Sequence, residues 1–307
     1  MGDAGALALA NVISEGHTKI QYQGFDITRS SFGFESFVAL MSAFDEGKKL
    51  LKEGVYDFDK FRLHDRIYQF INKMPLLKVT KLSLKHNEVT VKTIQNLAKL
   101  LPSSEVTDLN FDFNLICRLD DGAAVQALVS YISKITTLSF YDSRCGESET
   151  AMNIFGQLLA DSKIESFNLG GNTITNITIQ AIAASLPLAQ NLIRLELQGN
   201  QLGDKGAEII SNVLNNSTLK ILGLNYNTIG NDGAKALAAV LPFSSITLLR
   251  IKGNLFGREG YAALKNVSTN KHNETISIQV SAKYGYVYYP FVSYMWHMYW
   301  DWDLGNT

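Results

Sequence analysis

A nine-position pattern, apolar-x-x-apolar-x-apolar-x-x-Asn, recurs through the middle of the chain and narrows what it can fold into. It reads Val79, Leu82, Leu84, Asn87, then Val106, Leu109, Phe111, Asn114. The third copy is Ile135, Leu138, Phe140 with Ser143 in the Asn place, and the fourth is Ile164, Phe167, Leu169, Asn172. Three more follow: Leu192, Leu195, Leu197, Asn200; Leu219, Leu222, Leu224, Asn227; and Ile246, Leu249, Ile251, Asn254. The Asn-equivalent positions are 27, 29, 29, 28, 27 and 27 residues apart. So steady a period means one supersecondary unit stacked on itself, each copy burying its apolar face only against its neighbours.

Each copy has a second half with helical spacing. Gly206, Ala207, Ile210 and Leu214 follow Asn200, and Gly233, Ala234, Leu237 and Leu241 follow Asn227. Apolar residues three and four apart form one face of a short helix. Pro102, Pro187 and Pro242 follow the ends of three such helices, where a missing N–H does little harm. The unit is strand, turn and helix. Stacked, the strands make a parallel sheet and the helices an outer layer. The recurrent Asn ends the strand, where its amide satisfies backbone groups of its own loop and a neighbouring one. Ser143 can do this less completely, so a looser turn is expected there.

These residues resemble the leucine-rich repeat family, in its long-repeat form of the ribonuclease inhibitor and Ran GTPase-activating protein type. The match is closest along Leu219-Lys-Ile-Leu222-Gly-Leu224-Asn-Tyr-Asn227-Thr-Ile229 and on through Gly233 to Leu241. The resemblance implies an α/β solenoid, a horseshoe with the parallel sheet on its concave face and helices on its convex face. It divides the chain into degenerate N-terminal repeats or cap (1–75), regular repeats (76–280) and an aromatic C-terminal cap (281–307).

The ends are less regular. Gly5 to Ile13 aligns with the helix of a repeat, and Ile20, Tyr22 and Phe25 take strand and Asn places. Residues 28–75 read as one degenerate repeat with extra helical content, around Phe34 to Phe44 and Phe58 to Met74. Ile276 and Ile278 suit an eighth strand, 27 residues after Leu249 and Ile251. Beyond it, Tyr284 to Trp300 holds no Asp, Glu, Lys or Arg and nine aromatic residues. Large rings cover the apolar end of a last repeat well. The other reading is an interaction patch built on Trp296, Trp300 and Trp302.

Composition bears on partners. Lys+Arg (28) balance Asp+Glu (29), so no global field draws the chain to nucleic acid or acidic lipid. No stretch of 18 aliphatic residues suggests a membrane span. Two cysteines are too few for a disulfide framework, and a reducing compartment is the expectation. Cys117 and Cys145 fall at roughly matching turn positions after adjacent strands and read as core or turn thiols. The sequence has no Walker loop, GxSxG, HExxH or CxxC, and its five histidines lack ligand spacing. The reading is therefore a non-enzyme, with no catalytic residues, no metal, no cofactor and no small-molecule substrate.

Residues flanking the inward pair of each strand face the concave side. They alternate between basic, acidic and neutral, which suits a protein partner with a complementary pattern. Lys81, Lys85, Asp108, Asp112, Tyr141, Arg194, Glu196, Tyr226, Arg250 and Lys252 are the candidate partner-binding residues. The lone solenoid and 23 asparagines resemble leucine-rich effectors that intracellular bacteria such as Legionella inject into host cells. That resemblance implies a host protein as partner and the host cytoplasm as destination. A GTPase-activating protein of the Ran-activator type is the alternative.

Overall fold

A computed structural model of the chain describes residues 2–14, 34–43, 55–57, 78–118, 122–129, 132–267, 269 and 271–280. Among these residues nine strands form one parallel sheet in strict chain order, each paired with the strand before it. They are β1 (Val55–Asp57), β2 (Lys81–Ser83), β3 (Asp108–Asn110), β4 (Thr137–Ser139), β5 (Ser166–Asn168), β6 (Arg194–Glu196), β7 (Ile221–Gly223), β8 (Leu248–Arg250) and β9 (Ser277–Gln279). Each strand is three residues long, because a tight turn follows it at once.

Helices return the chain to the next strand. In chain order they are α1 (Asp3–Ser14), α2 (Phe34–Ala43), α3 (Val91–Leu100), α4 (Ala123–Val129), α5 (Glu149–Asp161), α6 (Ile179–Ser185), α7 (Gly203–Leu214), α8 (Asn231–Val240) and α9 (Arg258–Lys265). Side chains begin two of them well: Thr90 and Ser148 accept from the N–H groups of Thr93 and Ala151. The core is the slab between sheet and helices. Leu82, Leu109, Leu138, Phe167, Leu195, Leu222 and Leu249 are buried and in register across it. Where the period lengthens to 29, the slab takes larger side chains. The rings of Phe111, Phe140, Phe155 and Phe167 pack in a chain at 5.3, 5.1 and 5.3 Å.

The asparagines bind as their chemistry suggests. Asn200 Oδ1 accepts from the amides of Asn172 and Ile174, both at 2.9 Å. Its Nδ2 donates to the carbonyls of Leu169 (3.0 Å) and Leu197 (2.8 Å). Asn114, Asn172 and Asn254 accept in the same way from Asn87 and Val89, Ser143 and Cys145, and Asn227 and Ile229. Asn227 donates to Leu197 at 2.8 Å, but its buried Oδ1 has no partner. Ser143 is weaker, as expected. Its hydroxyl reaches only the carbonyls of Phe111 and Tyr141, each at 3.4 Å.

Three readings need correction or extension. Cys117 and Cys145 are not core or turn thiols; they form a disulfide across adjacent turns, with Cα atoms 4.7 Å apart. Turn positions three residues past Asn114 and two past Ser143 stack directly in a solenoid, and that brings the sulfurs together. β1 is a strand within a segment read for its helical content; its register puts Tyr56 opposite Leu82. The last strand is displaced by two residues: Ile278, not Ile276, pairs with Leu249. A small antiparallel bridge between Thr269 and Thr275 takes up the extra length. The expected strand at 20–22, the helical content at 58–74 and the aromatic segment 281–307, with Trp296, Trp300 and Trp302, lie outside the described residues.

Candidate partner-binding face

The sheet face opposite the helices carries the flanking strand residues, and its two halves are built differently. In the N-terminal half, Lys81 lies 3.9 Å from Asp108, whose carboxylate also accepts from the Thr107 hydroxyl at 2.7 Å. Asp112 is tied down by two bonds, from the Ser139 hydroxyl (2.5 Å) and the Tyr141 amide (2.7 Å). Burial nonetheless holds the Asp112 carboxyl above the usual carboxylate range, with Ser139, Tyr141, Asn110 and Lys85 acting in the opposite direction. Burial also pushes the Tyr141 phenol up, helped by the negative charges of Asp142 and Asp112.

At the edge of this half sits a row of rings. His86 stacks on Phe113 at 4.3 Å, and Phe113 meets Tyr141 at 5.2 Å. The Lys85 ammonium lies 5.3 Å from the Phe113 ring centre, within cation–π range. The expected residues Lys85, Asp112 and Tyr141 are therefore drawn together, with His86 and Phe113, which the sequence reading did not single out. Their backbone is the unusual part. The residue before the Asn-equivalent position has positive φ in every described turn: His86 (57°), Phe113 (56°), Asp142 (50°), Gly171 (68°), Gly199 (69°), Tyr226 (56°) and Gly253 (69°). Glycine adopts that conformation freely, whereas a bulky aromatic residue does so at a cost of about 1–3 kcal/mol. The signal was present in the sequence as a glycine in three copies and a ring in three others.

In the C-terminal half the charges pair with one another. The Glu196 carboxylate bonds the Arg250 guanidinium two strands away, and Arg194 lies 3.9 Å from the same carboxylate. The pair crosses β7 over Gly223, where any Cβ would overlap Glu196. Lys252 is exposed, and its amide donates to Asn225 at 2.7 Å. Tyr226 is 51% exposed and leans over Gly253, where a Cβ would strike its ring. Arg194, Glu196 and Arg250 thus form one ion cluster, while Tyr226 and Lys252 stand beside it on the turns and strand ends.

Among the described residues no cluster of His, Cys, Asp or Glu could hold a metal ion, and no helix is long and apolar enough to cross a membrane. A leucine-rich repeat family model matches residues 189–211 and 215–238, the two repeats in which the pattern is most regular. The fold is a leucine-rich-repeat solenoid. A search of curated proteins by sequence finds no match. Among solved structures, the chain is similar to the leucine-rich repeat protein LegL7 from Legionella pneumophila, at 15% identity and a TM-score of 0.46, over 79% of this chain and 80% of that one. An internalin C2 from Listeria monocytogenes aligns at 16% identity and a TM-score of 0.38, over 89% and 92%. Actin-binding site 2 of leiomodin-1 aligns at 17% identity and a TM-score of 0.39, over 46% and 83%.

Proposed function

We propose that this solenoid binds a partner protein through the uncovered face of its sheet, and that it does so as a bacterial effector directed at a host protein. The binding reading is carried by one observation: the row His86, Phe113 and Tyr141 at the edge of that face. Two of these rings sit on left-handed backbone, where glycine would serve the turn better. Strain kept at a surface position points to use of the side chain rather than to stability of the fold. Tyrosine, stacked rings and a nearby cation are also the groups that anchor protein interfaces. The sheet offers room: nine strands at about 4.8 Å spacing span roughly 40 Å. The effector reading is supported only by the asparagine-rich composition.

The test is affinity capture with wild type and a Phe113→Ala/Tyr141→Ala double variant of matched circular dichroism. A host-lysate protein retained by wild type and lost by the double variant is expected. Equal retention by both proteins removes the ring row from the binding site. A partner found only in bacterial lysate rejects the effector reading and leaves the binding role standing.

A further inference from the structure

The disulfide lies at the described joint where serine stands in place of the ladder asparagine. At Asn114, Asn172, Asn200 and Asn254 a single Oδ1 accepts two amides of the preceding turn, as Asn172 does from Ser143 (3.0 Å) and Cys145 (3.0 Å). At the joint between β3 and β4, serine has no amide to offer. The Ile116 amide turns instead to the carbonyl of Asn114 in its own turn, at 2.5 Å. The Ser143 hydroxyl reaches back only weakly, at 3.4 Å. Backbone bonds such as Phe113 N–H to Tyr141 carbonyl (2.7 Å) are common to all joints, so only the side-chain bridge is missing. Cys117 and Cys145 join the same two turns covalently, both almost fully buried. The same turns carry Phe113 and Tyr141, each four residues before its cysteine.

We propose that the Cys117–Cys145 disulfide replaces the asparagine bridge at this joint, and that thiol–disulfide exchange sets the rigidity of the turns bearing Phe113 and Tyr141. In the reducing direction, a dithiol attacks one sulfur as thiolate and forms a mixed disulfide, expelling the other cysteine as thiolate. Its second thiol then closes on the first. The protein gains two electrons and ends with two thiols, and the dithiol ends as a cyclic disulfide. In the oxidising direction a low-molecular-weight disulfide accepts the two electrons. Because both sulfurs are buried, exchange proceeds only after the turns open, so reduction of the native protein is slow. The effect on partner binding rests on the role proposed above; the effect on the turns does not.

The experiment is hydrogen exchange read by mass spectrometry on the full chain without any partner, in oxidised glutathione and after complete reduction by dithiothreitol. Intact mass reports the bond. Peptides covering 111–118 are expected to lose protection by roughly tenfold or more on reduction, while those around Asn200 stay unchanged. Ser143→Asn restores an acceptor for the amides of Asn114 and Ile116, and it should recover most of that protection in the reduced state. Cys117→Ala/Cys145→Ala should match reduced wild type in both solvents. Thiols that remain free in oxidised glutathione overturn the proposal. So does unchanged protection on reduction, or a Ser143→Asn variant no better protected than reduced wild type. A lost partner with unchanged exchange would count against this switch alone, and a retained switch with no partner against the binding role alone.

Discussion

The turns after β5, β6 and β8 place Gly171, Gly199 and Gly253 in the left-handed conformation and follow each with an asparagine. The turns after β2, β3 and β4 place His86, Phe113 and Asp142 in that same conformation, and the third follows with Ser143. One half of the solenoid therefore uses the residue types that suit the turn, while the other departs from them at consecutive positions. The departures carry a row of rings and coincide with a covalent bond. In the regular half the only comparable residue is Tyr226, among the described turns. Regularity stabilises the stack, and the exceptions are where side chains with binding chemistry accumulate.

The largest break in that comparison comes from removing a complete ladder residue. Asn200→Ala deletes four hydrogen bonds, three of them reaching into the preceding repeat. The expected loss is about 3 kcal/mol or more in urea unfolding, because buried amides are left unsatisfied. Gln201→Ala, at the exposed neighbour, should stay within about 0.5 kcal/mol. Equal unfolding midpoints for the two would refute the ladder as a source of stability.

Gly223→Ala should cost about 1–2 kcal/mol, since the added methyl displaces Glu196 from Arg250. Glu196→Gln in the same background should then have almost no further effect, and additive losses would show that the pair does not cross Gly223. Gly199→Ala sharpens the contrast between turns. Its Cβ would meet only Gly171 at ordinary contact distance, so the cost is the left-handed backbone alone, about 1 kcal/mol. Tyr226→Gly should do the reverse and leave stability level or raise it by up to about 1 kcal/mol. A clear loss in Tyr226→Gly would mean that the ring stabilises the fold and is not kept for a partner.

The smallest effect concerns pH. A carboxyl with a raised native pKa favours folding when protonated, and that advantage is lost as pH rises through its native value. Burial penalises the charged form of Asp112, the form that rising pH favours. Asp112→Asn should therefore be slightly more stable than wild type at pH 7, by about 1 kcal/mol or less. The difference should shrink as pH falls toward the ordinary carboxylate range, measured by urea unfolding at both ends. A difference that widens on acidification would show the opposite sign of shift.

The repeat made the sheet, its parallel order and the inward Leu and Phe positions readable, since a period of 27–29 residues leaves few other arrangements. The ladder was readable too, down to the weaker bonds of Ser143. What escaped the sequence depends on lateral stacking, which a linear pattern encodes only through offsets. Cys117 and Cys145 showed matching turn positions, yet the count of two argued against a bond. Glu196 and Arg250 are 54 residues apart, and only the small size of Gly223 between them hinted at contact. His86 and Phe113 were passed over because the residues just before the Asn place were not compared from copy to copy. Ile278 was misplaced because a uniform period was extended past a turn that had lengthened.

Between repeats, the side-chain bonds of Asn114, Asn172, Asn200, Asn227 and Asn254 all point one way. Each side chain reaches toward the repeat before it: Asn200 serves Leu169, Asn172 and Ile174, and Asn254 serves Leu224, Asn227 and Ile229. Nothing in the ladder reaches forward. Damage to one rung therefore orphans groups upstream and leaves those downstream satisfied. The solenoid has a polarity of repair: a repeat depends on its C-terminal neighbour for closure of its turn, so the ladder is secured from its C-terminal end.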